Sequence, residues 1–359
     1  MTQNKMTLRQ VCFSLTAFTV SLKIISLPSH VAKFSQESLW ISAILNFLLD
    51  GLMIFFILKV REKFDGLTFF QILDKNLGKT ITKTVFFLYF IYFFIKSYLP
   101  LNEQKNYIEI ALYETTHVIW IFLPIFLIGA FFSYKGLKTV GRLSDLMIWF
   151  TAFSIIVLIC LSLPASNFSN ILPIIGVPFK SLLTGSFRSL PWYFDSTYLL
   201  FIVGNFKSEK LNKTKIILSY LLGALVVIFF FIVLYGEFGP LTERQYYAPI
   251  KMGKYYLSTS NTGRIDYLAG FSLAIVCVFS TTLPLVFSTL CLSHVFNFKH
   301  RIIPCLIVNG SMAILFFLTQ NYFYVTFEIL QKYIIFYMIA LAYILPLILL
   351  FFKKGKKQL

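Results

Sequence analysis

The sequence predicts an all-α integral membrane protein with about ten transmembrane helices, and three observations carry this prediction. Of the 359 residues, 58% are apolar and 13% are charged, against about 45–50% and 25% in ordinary soluble domains. The apolar residues form runs of about 20, the length that a helix needs to cross the hydrocarbon core. The basic residues lie in alternate connections between these runs, as membrane orientation requires. Helices fit such runs, whereas a barrel would need alternating segments of about 10 residues.

Each apolar run gives one predicted span. The runs fall near 10–32, 39–59, 81–99, 118–132, 143–163, 182–203, 216–235, 267–292, 302–320 and 329–352. The polar and basic residues 1–9 lead into the first run without a small-residue cleavage site. We therefore predict a retained first helix and not a signal peptide.

The basic clusters predict the orientation of the chain. With ten spans they all fall on one side of the membrane, at 59–83, 135–142, 207–215, 299–301 and 353–357. An excess of Lys and Arg marks cytoplasmic loops, so both termini are predicted to be cytoplasmic. Since orientation explains the formal charge of +17, we do not expect nucleic acid as a partner.

The connections on the opposite side differ in kind. The connection after the third span holds Glu103, Glu109 and Glu114, and the one after the fifth is the Pro- and Asn-rich stretch 164–178. Residues 236–264 form the longest connection, predicted to be an extracytoplasmic loop, and loops of this length usually gate or dock. We divide the chain into a first five-helix repeat, 1–163, and a second, 164–359.

Two of the predicted spans carry polar residues and a proline at membrane depth. In the first span, residues 21–28 include Lys23 and Pro28; in the sixth, residues 185–197 include Pro191 and Asp195. These spans are the first elements of the two five-helix halves. Paired broken helices in corresponding positions are typical of transporters with inverted repeats and a site at the membrane midplane. Each proline could instead produce only a kink, which transmembrane helices tolerate.

Lys23 and Asp195 are the central candidates for a site. A charge at the centre of the membrane costs about 3 kcal/mol or more and generally faces the protein interior. We predict that the two side chains lie near each other across a central cavity, while the alternative is that Lys23 extends to the outer interface. The full set of predicted ligand contacts is Ser21, Leu22, Lys23, Ile24, Gly185, Trp192, Asp195 and Tyr98.

Three further polar residues are weaker candidates. Lys96, near the end of the third span, either faces the cavity or reaches outer water. Ser280 and Thr281, in the eighth span, are candidate ion ligands. Hydroxyls inside a membrane helix also commonly bond to the backbone of their own helix, which is the alternative for these two.

Several function classes lack their motifs. No Gly-rich phosphate loop of the Walker type occurs, so ATP-driven transport by this chain alone is not expected. No nucleophile–base or metal-ligand constellation is recognisable either. We therefore expect no enzymatic activity, no cofactor and no metal site.

Short motifs spread along the chain carry a family resemblance. They are LRQ at 8–10, LPSHVAK at 27–33, WIS at 40–42, GLKTVGRLSDL at 136–146, LP at 172–173 with Gly185, and RID at 264–266. In this order and spacing they resemble the endospore germination permeases, the B subunits of nutrient germinant receptors, in the amino acid/polyamine/organocation superfamily. Two positions depart from the pattern. The first-helix break, usually Gly-containing, is Ser21-Leu22-Lys23, and the sixth-helix acid, usually Glu after a small residue, is Asp195 after Phe194.

The resemblance implies five-plus-five inverted repeats and a small-nutrient site between the first, third, sixth and eighth helices. It also implies a location in the spore inner membrane, with A-type and C-type receptor subunits as partners. The leading hypothesis is a receptor subunit that binds a small nutrient such as an amino acid and signals germination to those subunits. An amino-acid or cation symporter working by alternating access is the alternative, and a membrane scaffold with a vestigial cavity is a third possibility. Lys23 could stand in permanently for a ligand amine or a metal ion.

Overall fold

The protein is built from helices throughout the part that the structure describes. The structure is a computed structural model, and it describes residues 6–64, 66–111, 117–202, 204, 212–252, 266–322 and 328–352. Seven helical segments in these ranges are long and apolar enough to span a membrane, and Phe122–Lys135 is a shorter apolar helix. The predicted all-α membrane fold is thereby confirmed, whereas the count of ten spans and the division into two repeats stay predictions.

In chain order the helices are α1 (Leu8–Ser21), α2 (Leu27–Ser35), α3 (Leu39–Lys63), α4 (Phe69–Leu77), α5 (Lys79–Ala111), α6 (Val118–Lys135), α7 (Leu137–Ser162), α8 (Phe179–Ser189), α9 (Ser196–Ile202), α10 (Lys213–Phe238), α11 (Ala248–Lys251), α12 (Asp266–Phe296) and α13 (Ile302–Thr319). In the last helical stretch, π-helical segments at Leu330–Ile334 and Ala340–Ile344 alternate with α14 (Ile335–Ile339) and α15 (Leu345–Leu349).

Both predicted interruptions are present as real breaks. The first break, residues 22–26, separates α1 from α2, and Pro28 lies in the first turn of α2. The second break, residues 190–195, separates α8 from α9 and begins with a 3-10 turn, Leu190–Trp192, that has Pro191 in its first positions. A proline has no N–H to lose at a helix start and its fixed φ suits that position, so each proline begins a new helical segment.

The broken helices lie inside the bundle. α1 packs against α7 and α10, α2 packs against α8, and α5 packs along α12. The outer faces of the surrounding helices carry large apolar side chains, for example Trp149 and Leu318, each 71% exposed. A soluble protein would not present so much apolar surface, but a hydrocarbon solvent accepts it.

The structure corrects one of the predicted connections and adds detail to another. α5 continues to Ala111 with Pro100 inside it, so Glu103 and Glu109 lie on a helix and not in a connection. Transmembrane helices tolerate such a proline because other groups take up the freed backbone atoms. In the predicted loop 236–264, α10 extends to Phe238 and is followed by a 3-10 helix, Gly239–Arg244, and α11. Glu114 and residues 253–265 lie outside the described residues.

Gly185 allows α8 to approach α2 closely, and this contact gives a first prediction. A Cβ at Gly185 would lie 2.4 Å from Ser35 Oγ, which is itself 2.7 Å from Ser42 Oγ on α3. Gly185→Ala should therefore lower the free energy of unfolding by about 1–3 kcal/mol, the usual effect of overpacking. Unfolding by SDS in mixed micelles measures the difference.

Gly310 on α13 provides the matched control. No heavy atom lies within 4 Å of a Cβ built there, so Gly310→Ala should be neutral or slightly stabilising because alanine favours helix. Equal unfolding free energies for the two variants would contradict the close approach of α8 and α2.

Candidate functional site at the two helix breaks

Lys23 of the first break and Asp195 of the second form a buried ion pair. Lys23 Nζ lies 2.7 Å from Asp195 Oδ2, and neither side chain is exposed. Thr19 of α1 donates to the same carboxylate oxygen at 3.0 Å, and Lys23 Nζ lies 5.1 Å from the ring centroid of Tyr193. The predicted proximity of Lys23 and Asp195 is confirmed, and the alternative that Lys23 extends to the outer interface is wrong.

Asp50 of α3 stabilises the start of α9, a role that the sequence analysis missed. Its Oδ2 accepts from the backbone N–H of Asp195 at 2.9 Å, and its Oδ1 accepts from the Ser196 hydroxyl at 2.7 Å. The Ser196 backbone N–H also donates to Oδ1, at 3.4 Å. A carboxylate that accepts from unpaired N–H groups at a helix N-terminus is favoured by those hydrogen bonds and by the helix dipole.

Lys96 of α5 takes up the carbonyls on the other side of the second break. Its Nζ donates to the carbonyl oxygens of Pro191 at 2.9 Å and Tyr193 at 2.6 Å. The side chain is buried, so it does not reach outer water. A cation near the last carbonyls of a helix is favoured by the helix dipole. Lys96 and Asp50 thus stabilise opposite sides of the same break.

Phe194 lies in this break with a left-handed backbone. Its φ is +67°, a conformation that costs a residue with a side chain roughly 1–2 kcal/mol. The surrounding packing holds it there: Phe194 is fully buried, and its ring lies 5.0 Å from that of Tyr343. Glycine adopts this backbone region without strain, so packing around the ring must stabilise Phe194 in it.

A cavity of about 840 Å³ adjoins the first break through Ser26. Its walls come mainly from α2, α8, α14 and the segment before α11, and its buried polar lining residues are Ser26 and Glu103. Glu103 accepts from the Trp192 indole N–H at 3.0 Å, and the His30 ring lies 4.9 Å from that of Trp192. Glu103 and Ser26 therefore form the floor of the cavity, and Trp192 lies next to that floor.

The buried side chains around the breaks include one more formal negative charge than positive charges. Two cations, Lys23 and Lys96, and three carboxylates, Asp50, Glu103 and Asp195, are each at most 3% exposed. Buried charges persist only when they are paired and hydrogen-bonded. Here the partners come from both breaks, so the network links the two interrupted helices with α3 and α5.

The predicted ligand contacts occupy several different places. Trp192 adjoins the cavity floor. Lys23 and Asp195 form the buried ion pair between the two breaks and do not line the cavity. Gly185 packs against α2, and the Tyr98 hydroxyl lies 2.6 Å from Thr319 Oγ1 on α13. Ser21, Leu22 and Ile24 are buried around the first break. None of these eight residues is among the described lining residues, and as ligand contacts they stay predictions.

The predicted ion ligands bond to their own helix. The Ser280 hydroxyl donates to the Cys277 carbonyl at 2.7 Å, and the Thr281 hydroxyl donates to the Val278 carbonyl at 2.9 Å. This is the arrangement that the alternative interpretation of these hydroxyls describes. Their role in ion binding stays a prediction.

The roles of Asp50 and Asn46 could have been predicted from their positions in the sequence. Both lie inside the apolar run 39–59 and are four residues apart, so they share one face of α3. An ionisable residue within a membrane span marks a functional or structural site by default. The Asn46 amide donates to the Ser186 carbonyl at 2.9 Å and to Ser189 Oγ at 2.8 Å. That face of α3 therefore forms hydrogen bonds to both parts of the second interrupted helix, α8 and α9.

The start of α1 is joined to α7 by a different set of contacts. Arg9 binds Asp145 of α7 through two nitrogen–oxygen contacts of 3.2 and 3.3 Å, and Gln10 Nε2 donates to the same carboxylate at 3.1 Å. Arg9 and Asp145 come from two of the motifs that carry the family resemblance. The start of α1 is therefore joined to α7, whereas residues of α2 and no described residue of α1 line the cavity.

The fold defines the class of protein: a helical integral membrane protein whose fold is similar to that of a solved transporter. The structure matches the crystal structure of a mutant of the Eremococcus coleocola manganese transporter over 95% of this chain and 78% of that chain, with a TM-score of 0.55 and 13% identity. At this identity the match shows the fold alone. In the described ranges no group of three or more His, Cys, Asp or Glu side chains could hold a metal ion.

The chain belongs to the spore germination protein family, whose sequence profile matches residues 5–327. It is similar to the spore germination protein YndE of Bacillus subtilis strain 168, with 21% identity over 231 residues. The match covers 64% of this chain and 62% of that relative's length. The family predicted from the short motifs is thereby confirmed.

Proposed function

We propose that the chain is the membrane subunit of a spore nutrient receptor that binds a small nutrient such as an amino acid and signals germination to partner subunits. The family supports a role in germination, and the family resemblance supports A-type and C-type subunits as the partners. Its location would be the spore inner membrane. The basic residues at the end of α3, Lys59, Arg61 and Lys63, support a cytoplasmic position for that end of the bundle and for both termini.

One observation carries this proposal: the floor of the open cavity is hydrogen-bonded to the second helix break. Trp192 belongs to the second break and donates to Glu103, which lines the cavity. The neighbouring residues Tyr193 and Asp195 bond to Lys96 and Lys23. A ligand shifts the equilibrium between two conformations of a protein only if it binds one conformation more tightly than the other. A nutrient on this floor would contact the segment whose rearrangement alters both interrupted helices.

Filling the cavity tests the proposal. Thr184 of α8 lines the cavity and is half-buried, so Thr184→Trp should occlude the cavity and abolish the response to nutrient. The assay uses spores that lack other nutrient receptors and carry this chain with its partner subunits. It measures the loss of optical density after addition of each amino acid of a panel.

Phe179→Trp is the matched control because Phe179 also lies on α8, is 67% exposed and is not one of the lining residues. Its spores should respond normally. Chain abundance in spore membranes is compared by immunoblot. A normal response in Thr184→Trp spores with normal abundance would overturn the proposed entry of the nutrient through this cavity.

A symporter is a second candidate function, and the asymmetry of the molecule favours it. The cavity is open beside α2, while the Arg9–Asp145 contacts tie down the start of α1, as one state of an alternating-access transporter requires. Accumulation of a labelled amino acid in proteoliposomes, lost when the ion gradient is collapsed, would support this function. Binding without accumulation would support the receptor.

A further inference from the structure

We infer that the cavity selects an acidic amino acid, a ligand with one ammonium group and two carboxylates. This inference rests on the proposed function, which leaves the chemical class of the nutrient open. It follows from how charge is distributed between the rim and the floor of the cavity.

The rim is rich in cations. Lys33 of α2, Lys180 and Arg188 of α8, and Lys332 near the start of the last helical stretch all line the cavity and are exposed. Within the described residues none of the four forms an ion pair with a carboxylate closer than 4.0 Å. Four such cations at the mouth of one cavity attract an anion.

Three of these cations lie close to aromatic rings. Lys33 Nζ lies 5.0 Å from the ring centroid of Tyr246, and Arg188 Cζ lies 5.1 Å from that of Phe34. Lys332 Nζ lies 5.3 Å from the ring centroid of Tyr333. A cation over a ring face is attracted by the ring quadrupole without being neutralised. These side chains are therefore positioned at the rim with their charge still available to a ligand.

The floor has the opposite charge. Glu103 is buried, and its Oε1 accepts from the Trp192 indole N–H, a neutral donor. A ligand ammonium is the group that best compensates a carboxylate at the end of a cavity. Glu328 is the other lining carboxylate and lies at the rim. The described lining thus has four cations and two carboxylates, a net positive charge. A ligand with one more carboxylate than ammonium groups has a net negative charge and complements the lining in sign.

In this proposal the ligand ammonium binds Glu103 and the ligand carboxylates face the rim cations. Arginine binds a carboxylate through two parallel hydrogen bonds, so Arg188 is the residue expected to distinguish acid from amide. Glutamate and aspartate meet this requirement. Glutamine and asparagine have nearly the same shape but carry one carboxylate fewer.

Equilibrium binding to the full-length chain in lipid nanodiscs tests the inference. The probes are glutamate, aspartate, glutamine, asparagine, alanine and glutarate, which lacks the amine. We expect the acidic amino acids to bind at least tenfold more tightly than their amides, and glutarate to bind more weakly than glutamate. Arg188→Gln should weaken glutamate binding at least tenfold while leaving glutamine binding unchanged.

Lys251→Gln is the control, because Lys251 is an exposed cation four residues from the lining residue Tyr247 but is not itself a lining residue. It should leave glutamate affinity unchanged. If glutamine or alanine binds as tightly as glutamate, the inference of an acidic ligand is overturned while a nutrient cavity stands. Binding of none of the probes overturns the inference too, and the proposed function fails with it only when Thr184→Trp spores respond normally.

Discussion

Lys23→Met is expected to destabilise the folded protein by about 3–5 kcal/mol, the cost of leaving a buried charge without its partner. The ion pair with Asp195 is 2.7 Å long and has no exposure on either side. Asp50 accepts from the backbone N–H of Asp195, and its charge interacts with both Lys23 and Asp195. Removal of the lysine therefore leaves two neighbouring carboxylates with no cation between them. SDS unfolding in mixed micelles gives the difference in free energy.

Two companion variants separate the charge effect from the loss of packing. Asp195→Asn should cost less than Lys23→Met, because Asp50 still compensates the lysine. The double variant Lys23→Met with Asp195→Asn removes both charges and should regain most of the loss, since an apolar replacement of a buried pair is often nearly neutral. A double variant as unstable as the sum of the single variants would show that the pair contributes no coupling energy.

Asp50→Ala should cost about 3 kcal/mol or more, because it leaves the N–H groups of Asp195 and Ser196 and the Ser196 hydroxyl without their acceptor. Each buried donor that loses its partner costs about 1–3 kcal/mol. Asp50→Asn keeps one oxygen acceptor and should cost less. The same unfolding experiment measures both variants, and hydrogen exchange should show faster amide exchange in the first turn of α9 in Asp50→Ala.

Asp145→Ala serves as the comparison for Asp50→Ala. Asp145 also joins two helices through its carboxylate, but its side chain is 26% exposed and that of its partner Arg9 is 68% exposed. Exposed pairs contribute about 0.2–1 kcal/mol. If Asp145→Ala destabilised the protein as much as Asp50→Ala, burial at the second break would not explain the effect.

Much of the architecture could be read from residue patterns. The apolar runs predicted membrane helices, and the polar residues around Pro28 and Pro191 predicted the two breaks. The contact between Lys23 and Asp195 was also predictable, since charged side chains inside a membrane generally form pairs of opposite charge. Asp50 could have been found by the same reasoning, because it is a carboxylate in an apolar run.

The composition and order of the residues alone determined that this protein is a helical membrane protein with two interrupted helices and a buried cation and anion. The burial cost of polar backbone and of charge in hydrocarbon leaves few other arrangements. Only the tertiary structure decided where the network and the cavity lie. Lys96 and Glu103 are seven residues apart on α5, yet one bonds the carbonyls of the second break and the other lines the cavity. Such roles depend on which atoms of distant segments come within hydrogen-bond distance, and spacing along one helix does not specify this.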